Sequence, residues 1–332
     1  MTGNKHPISR RNFLAGAAAS SALLAGCTGD SGGSYPSEDM HYIVPFSQGG
    51  GTDTYARKVV PEIGNELDVS VAIENVPGAA SLKGTGELLK SKSDGYTFGG
   101  FNPPSTPISY LVHEPSWDIT KLVPVATYAR TPYAVFARPE LEIEGMKDLA
   151  KRYRSGDLSK FAGLARGGIV HVAANVMKSE YDLKYNRYIG YDGGGPAIKA
   201  AISGEVPVVA TTDTAAMSAV DSGKLEPIAI LSSEGSSVFK DAPSPSDEGL
   251  PSIDYIGQLT RCMFLPKGTD TKKRDKVEDA VKSALNHDSV QQWSKKTGNI
   301  VEFGGHEKAK KALNDSIETI PKKVDLKKIA SE

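Results

Sequence analysis

The stretch His41-Tyr42-Ile43-Val44-Pro45-Phe46-Ser47-Gln48-Gly49-Gly50-Gly51-Thr52-Asp53 passes from an apolar run into a glycine loop, and residues 54–67 continue it with helical periodicity. Strand, glycine loop and helix in that order form the unit from which open α/β sheets are built. Glycine has no Cβ, so a ligand can approach the main chain closely. The first turn of the following helix offers unpaired N–H groups and a partial positive charge. The joint therefore predicts an anion seat made of backbone. The same composition also serves a plain bend, with Thr52 or Asp53 as no more than a helix cap.

The design recurs along the chain. Residues 161–164 lead into Ala165-Arg166-Gly167-Gly168-Ile169-Val170-His171, residues 187–191 end in Tyr191-Asp192-Gly193-Gly194-Gly195-Pro196-Ala197, and residues 206–211 end in Thr211-Thr212-Asp213-Thr214. In open α/β sheets ligands settle outside the carboxyl ends of strands, where all four loops belong. Strands are expected at 41–46, 69–74, 96–101, 133–137, 161–164, 187–191, 206–211 and 227–231. Helices fit 54–67, 146–154, 169–180, 196–203, 272–285 and 307–320. This alternation predicts α/β lobes with largely parallel sheets.

The first 27 residues carry a different message. Ser9-Arg10-Arg11-Asn12-Phe13-Leu14 resembles a twin-arginine export signal, and Leu24-Ala25-Gly26-Cys27 resembles a lipobox. The apolar run 15–26 is short for a membrane span, which favours a removable signal over residues 1–26 and lipidation of Cys27. Residues 27–37 are small, polar and glycine-rich, the composition of a flexible tether. Removing 1–26 takes Lys5, Arg10 and Arg11 and no acidic residue, which leaves 36 basic against 40 acidic residues. That balance implies no nucleic-acid partner. Cys262 is the only other cysteine, which excludes an intramolecular disulfide in a chain lipidated at Cys27, and any thiolate metal cluster. A chain of this length exceeds one ordinary core and predicts two lobes.

Residues 45–53 with Ala56-Arg57 resemble the opening signature of the substrate-binding proteins of tripartite tricarboxylate transporters, the TctC or Bug family. Further similarities follow in the family's order. They include Glu74-Asn75-Val76-Pro77-Gly78-Ala79, Ser93-Asp94-Gly95-Tyr96-Thr97-Phe98, Leu122-Val123-Pro124-Val125-Ala126 and Gly167-Gly168-Ile169-Val170-His171. The loop 191–197, Ser203-Gly204-Glu205-Val206, Ser222-Gly223-Lys224-Leu225, Glu248-Gly249-Leu250-Pro251 and Pro266-Lys267-Gly268-Thr269 complete the series.

The resemblance implies a two-lobed α/β periplasmic-binding-protein (Venus-flytrap) fold, with an open sheet in each lobe and a ligand cleft between them. It places residues 38–128 plus 255–332 in one lobe and 129–254 in the other. It implies a monomeric binding protein, not an enzyme, that needs no cofactor or metal. Such a protein sits outside the cytoplasm, captures a small carboxylate and delivers it to membrane permease subunits; the lipid would hold it on the outer face of the cytoplasmic membrane. Carried onto this chain, the ligand-binding residues are Ser47, Gly49, Gly50, Gly51 and Asp53 on one side. Arg166, Gly167, Gly168, His171, Tyr191, Asp192 and Gly193 lie on the other, with Asp213 as a further member.

The chain departs from the family pattern at several of these loops. Ala79-Ala80-Ser81 stands where a glycine pair is usual, and Val76 where arginine is usual. Ala165 replaces a glycine, Gly168 a small hydroxyl residue, and Asp192 a common lysine; the aromatic residue expected near Gln258 is absent. Two readings of Arg166 and Asp192 remain open: Arg166 grips a second anionic group of the ligand while Asp192 orients the guanidinium or accepts a ligand hydroxyl, or the two form an exposed ion pair. A surface sensor of the same fold is the alternative function. Hydrolysis, with His171 as base and Ser47 or Thr52 as nucleophile, lacks a Gly-x-Ser-x-Gly elbow. The glycine loops also lack the lysine and hydroxyl of a nucleotide-binding P-loop.

Overall fold

A computed structural model describes residues 35–330, and residues from Glu38 onward form one compact unit. The export signal, the lipobox and Cys27 lie outside the described residues. No helix among the described residues is long and apolar enough to cross a membrane.

The strands are β1 (Met40–Val44), β2 (Val71–Asn75), β3 (Thr97–Phe101), β4 (Val123–Ala137), β5 (Lys160–Leu164), β6 (Arg187–Tyr191), β7 (Val208–Thr212), β8 (Glu226–Ile230) and β9 (Gln258–Leu265). The helices are α1 (Gly51–Leu67), α2 (Leu82–Lys90), α3 (Ser105–His113), α4 (Met146–Ser155), α5 (Ile169–Glu180), α6 (Gly194–Ile202), α7 (Asp213–Asp221), α8 (Asp254–Gly257), α9 (Thr271–Asn286), α10 (Asp288–Thr297), α11 (His306–Lys323) and α12 (Leu326–Ala330).

Strand order is β2-β1-β3-β9-β4-β7-β5-β6, with β8 also paired to β4. The β1–β2, β1–β3, β5–β6 and β5–β7 pairs are parallel, whereas every pair made by β4 or β9 is antiparallel. The expectation of largely parallel sheets is thus corrected to mixed ones, and β4 belongs to both. It pairs with β9 from Val123 to Pro132 and with β7 from Tyr133 to Ala137. Pro132 has no N–H to give a ladder, and it stands where the strand changes partner. Sequence periodicity located only the second half of this strand and missed β9, whose Thr260 and Arg261 interrupt the apolar run.

Helix α1 buries Tyr55, Ala56, Val59, Val60, Ile63 and Leu67, which recur at helical spacing on one face. Val59, Val60, Ile63 and Leu67 each contribute about 1.5–3 kcal/mol on full burial. On one side of the molecule Ile43, Leu88, Phe101, Phe264 and Leu313 share a core. On the other, Val135, Phe161, Met177, Val208 and Leu231 share a second. The carboxyl ends of the parallel strands of both sheets meet at a single pocket.

Candidate functional site

Four helices begin at that pocket. Ser81 precedes α2, Ser105 opens α3, Gly168 precedes α5 and Gly193 precedes α6, and all four residues line the wall. None of these helices has a side-chain cap, so their first N–H groups lack the usual side-chain acceptor. Each end carries roughly half a positive charge. Pro45 and Phe46 from the end of β1, Leu164 and Ala165 from the end of β5, Ile169 and Ala80 supply apolar surface. Among the described residues no lysine, arginine or histidine lines the pocket. The space open to the centre of a water molecule is about 10 Å³, roughly the requirement of one water. The walls are therefore closed on each other, and a ligand of several carbons needs them to part.

The rim at residues 78–81 is strained. Gly78, Ala79, Ala80 and Ser81 have φ of 125, 47, 53 and 81° in succession. A left-handed backbone costs a residue with a Cβ about 1–2 kcal/mol. Ala79 and Ala80 thus hold a glycine-like backbone, and such strain concentrates at ligand sites.

Among the residues expected from sequence, Gly168, Tyr191, Asp192 and Gly193 line the pocket. Of the β1–α1 loop, Pro45 and Phe46 line it as well, whereas Ser47 to Gly50 do not. Ser47 donates its backbone N–H and its Oγ to the Asp192 carbonyl at 3.2 and 2.6 Å, which ties the loops of the two sheets together. Asp53 is buried, and its carboxylate accepts from the Gly49 N–H (2.9 Å), Arg57 Nε (3.0 Å) and Asn75 Nδ2 (2.9 Å). Burial alone would raise its pKa, but bonds from Arg57, Gly49 and Asn75 hold it below the ordinary aspartate range. Asn75 also donates to the Phe46 carbonyl at 3.0 Å, so this network shapes the loop. Gly50 and Gly51 do not line the pocket. A Cβ on Gly51 would lie 2.5 Å from Arg261 Nη2 and Thr212 Oγ1 and 2.8 Å from Thr214 Oγ1, so only glycine fits that joint.

Gly167 has φ +74°, and a Cβ there would lie 2.1 Å from His113 Nε2. Its N–H donates to His171 Nδ1 at 3.1 Å, so His171 acts on the loop that precedes α5. Arg166 donates Nη2 to the Tyr188 carbonyl at 3.1 Å. Asp192 makes no ion pair among the described residues, so the two do not form the exposed pair that one reading held. Asp213 is buried, bonded to the Thr214 N–H and Ser236 Oγ, and burial raises its pKa to about 6. Asp275, Glu278 and His306 bring ligand-type atoms within 4.8 Å of one another. Asp275 is already paired with Arg274 and Glu278 with His306, and none of the three lines the pocket.

Burial lowers the His171 pKa from 6.5 to about 4, helped by the nearby cations Arg166, His113 and Lys178. The unfolded chain takes up this proton near pH 6.5 while the folded chain resists it until about pH 4. Stability from this group is therefore intact above pH 6.5 and lost as pH falls toward 4. His171→Gln should remove about 1–2 kcal/mol of the difference in unfolding free energy between pH 7 and pH 5. Urea denaturation at the two pH values measures it, and an unchanged difference would refute the assignment.

Sequence reading missed Arg261. Fully buried on β9, it donates to Thr131 Oγ1 and Thr52 Oγ1 at 2.9 Å each and to Thr214 Oγ1 at 3.5 Å, and it lies 4.5 Å from the Tyr55 ring centre. It makes no ion pair within 4.0 Å among the described residues. The only signal in the sequence was a charge inside an apolar run.

Mixed sheets that share a strand and meet at a pocket of helix N-termini define a two-lobed periplasmic binding protein. The structure superposes on that of the periplasmic binding protein BugD with a TM-score of 0.80 at 22% identity, covering 90% of this chain and 99% of that one. On MatC from Rhodopseudomonas palustris with bound malate the TM-score is 0.77 at 23% identity, covering 89% and 100%. Protein BugT of Bordetella pertussis is 30% identical over 243 residues, 72% of this chain and 73% of that one. Residues 55–320 match the model of the tripartite tricarboxylate transporter family receptor, and the chain belongs to that family. The family is one of solute receptors that work outside the cytoplasm.

Proposed function

We propose that this chain captures a small carboxylate in the pocket of four helix N-termini and delivers it to the membrane subunits of a tripartite tricarboxylate-type transporter. One observation carries the reading: four uncapped helix N-termini face a pocket that no basic side chain among the described residues lines. A carboxylate there is stabilised by main-chain N–H groups and helix dipoles. Malate in MatC supports the same ligand class.

Residues 38–128 plus 255–332 and residues 129–254 act as lobes that part to admit the ligand. Gly168, Tyr191, Asp192 and Gly193 touch it. Ser47, Gly49, Gly50, Gly51, Asp53, Gly167 and His171 hold the loops, and Asp213 serves the joint behind them. The protein works as a monomer outside the cytoplasm, held to the membrane by lipid on Cys27.

The test is a thermal-shift panel of mono-, di- and tricarboxylates on the purified chain. A cognate ligand at 100 times its dissociation constant should add about 2.7 kcal/mol of stability. A panel in which no carboxylate raises the melting temperature would overturn the reading.

A further inference from the structure

The polar side chains of the pocket wall are spoken for, with one exception. Ser81 Oγ donates to Thr106 Oγ1 at 3.4 Å, Ser109 Oγ to the Ser105 carbonyl at 3.2 Å, and Tyr191 Oη to Glu205 Oε1 at 2.9 Å. Ser105 is bonded to the buried Tyr133 hydroxyl. The carboxylate of Asp192 has no hydrogen bond or ion pair among the described residues. Its main chain is nevertheless fixed, because the carbonyl accepts both the N–H and the Oγ of Ser47.

Among the described residues no basic side chain in the wall neutralises Asp192. Arg166 lies outside the lining, with Nη2 given to the Tyr188 carbonyl at 3.1 Å. Lys83 is the other cation at this rim: its stem would lie 3.6 Å from a Cβ on Gly78. Asp192 is itself exposed, at the edge of this largely apolar pocket; an acidic group there repels a second carboxylate and attracts a donor, and the effect strengthens when a bound ligand expels water from around it. Its neighbour Gly193 precedes α6, so the same charge offsets part of the positive potential of that one helix end.

We infer that Asp192 selects the ligand: the solute carries one carboxylate for the helix N-termini and, at the end that meets Asp192, a hydroxyl or ammonium in place of a second carboxylate. This rests on the carboxylate reading above. The chemical class is a short hydroxy- or amino-monocarboxylic acid, for which Asp192 is the specificity-determining residue.

Calorimetry with four ligands of equal chain length tests it on the wild type, Asp192→Asn and Lys83→Met. The ligands are butyrate, β-hydroxybutyrate, γ-aminobutyrate and succinate. The expected result is that the hydroxy or the amino acid binds at least about tenfold more tightly than butyrate and succinate, the scale of one charge-assisted hydrogen bond. Asp192→Asn should abolish that preference and tighten succinate. The loss should be larger for an ammonium than for a hydroxyl, which separates the two donors. Lys83→Met should leave the ranking unchanged. If succinate binds tightest to the wild type, ignores Asp192→Asn and is weakened by Lys83→Met, the inference falls while the carboxylate reading stands. If none of the four binds and the wider carboxylate panel is also silent, both fall.

Discussion

Gly168→Val should weaken carboxylate binding by on the order of 1.5–3 kcal/mol, roughly ten- to hundredfold, with the fold intact. Gly168 precedes α5 with φ −86° and ψ 173°, an extended conformation open to any residue, so the dihedral angles accept a side chain and the only backbone adjustment is a local shift of the Ala165 carbonyl. What changes is the wall. A Cβ there would lie 2.9 Å from the Ala165 carbonyl, 3.5 Å from Ala80 Cβ and 3.8 Å from Ser109 Oγ. The branched methyls therefore enter a pocket with only about 10 Å³ to spare and screen the first N–H groups of α5. Gly50→Val is the contrasting case. Its Cβ would meet nothing closer than the Ser47 carbonyl at 3.4 Å, outside the pocket wall, and affinity should change little. Titration calorimetry on variants with wild-type circular dichroism decides the matter. Equal affinity of Gly168→Val and the parent would remove the α5 terminus from the site.

Arg261→Ala should destabilise the protein by about 3–5 kcal/mol, and Arg261→Met by less than half of that. Taking a guanidinium out of water costs several kcal/mol, and among the described residues no ion pair repays it; hydroxyls of Thr131, Thr52 and Thr214 and the face of Tyr55 do. Alanine leaves a cavity as well as hydroxyls stripped of their donor. Methionine fills most of the space and removes the desolvation cost, so its loss is smaller.

The pH dependence adds a second signature. Burial raises the Asp213 carboxyl to about 6 against 3.8 in the unfolded chain, and Arg261 is among the groups that restrain it. A raised aspartate favours the folded state at low pH, and that contribution is lost as pH rises from 3.8 through about 6. Without Arg261 the carboxyl rises further and the loss extends to higher pH. The deficit of Arg261→Met should therefore be larger at pH 7 than at pH 5. Chemical denaturation at both values measures it, and a methionine variant as stable as the parent at each would show the guanidinium to be dispensable.

Much of the site was visible as glycine joints after strands, because strand, turn and helix are set by neighbours in the chain. The loops at Gly168 and at Asp192-Gly193 were found this way. The loops at Ser81 and Ser105 were not, because α2 carries two glycines and α3 an internal proline, which blur helical periodicity. Arg166 is the contrasting case. Its place on a glycine loop suggested a ligand contact, while its guanidinium is turned to a backbone carbonyl of β6.

The amino-acid sequence by itself determined the α/β class, the family, and the placing of glycine-rich loops at strand ends, since each follows from residues adjacent along the chain. Only the tertiary structure decided which of those ends share one pocket. Gly51 and Gly168 occupy similar joints in sequence, yet one is packed against Arg261, Thr212 and Thr214 and the other faces the pocket. That choice is made by β4 and β9, which join the two sheets through antiparallel ladders between segments more than 100 residues apart in the chain. Contacts of that range leave no periodic trace in either segment.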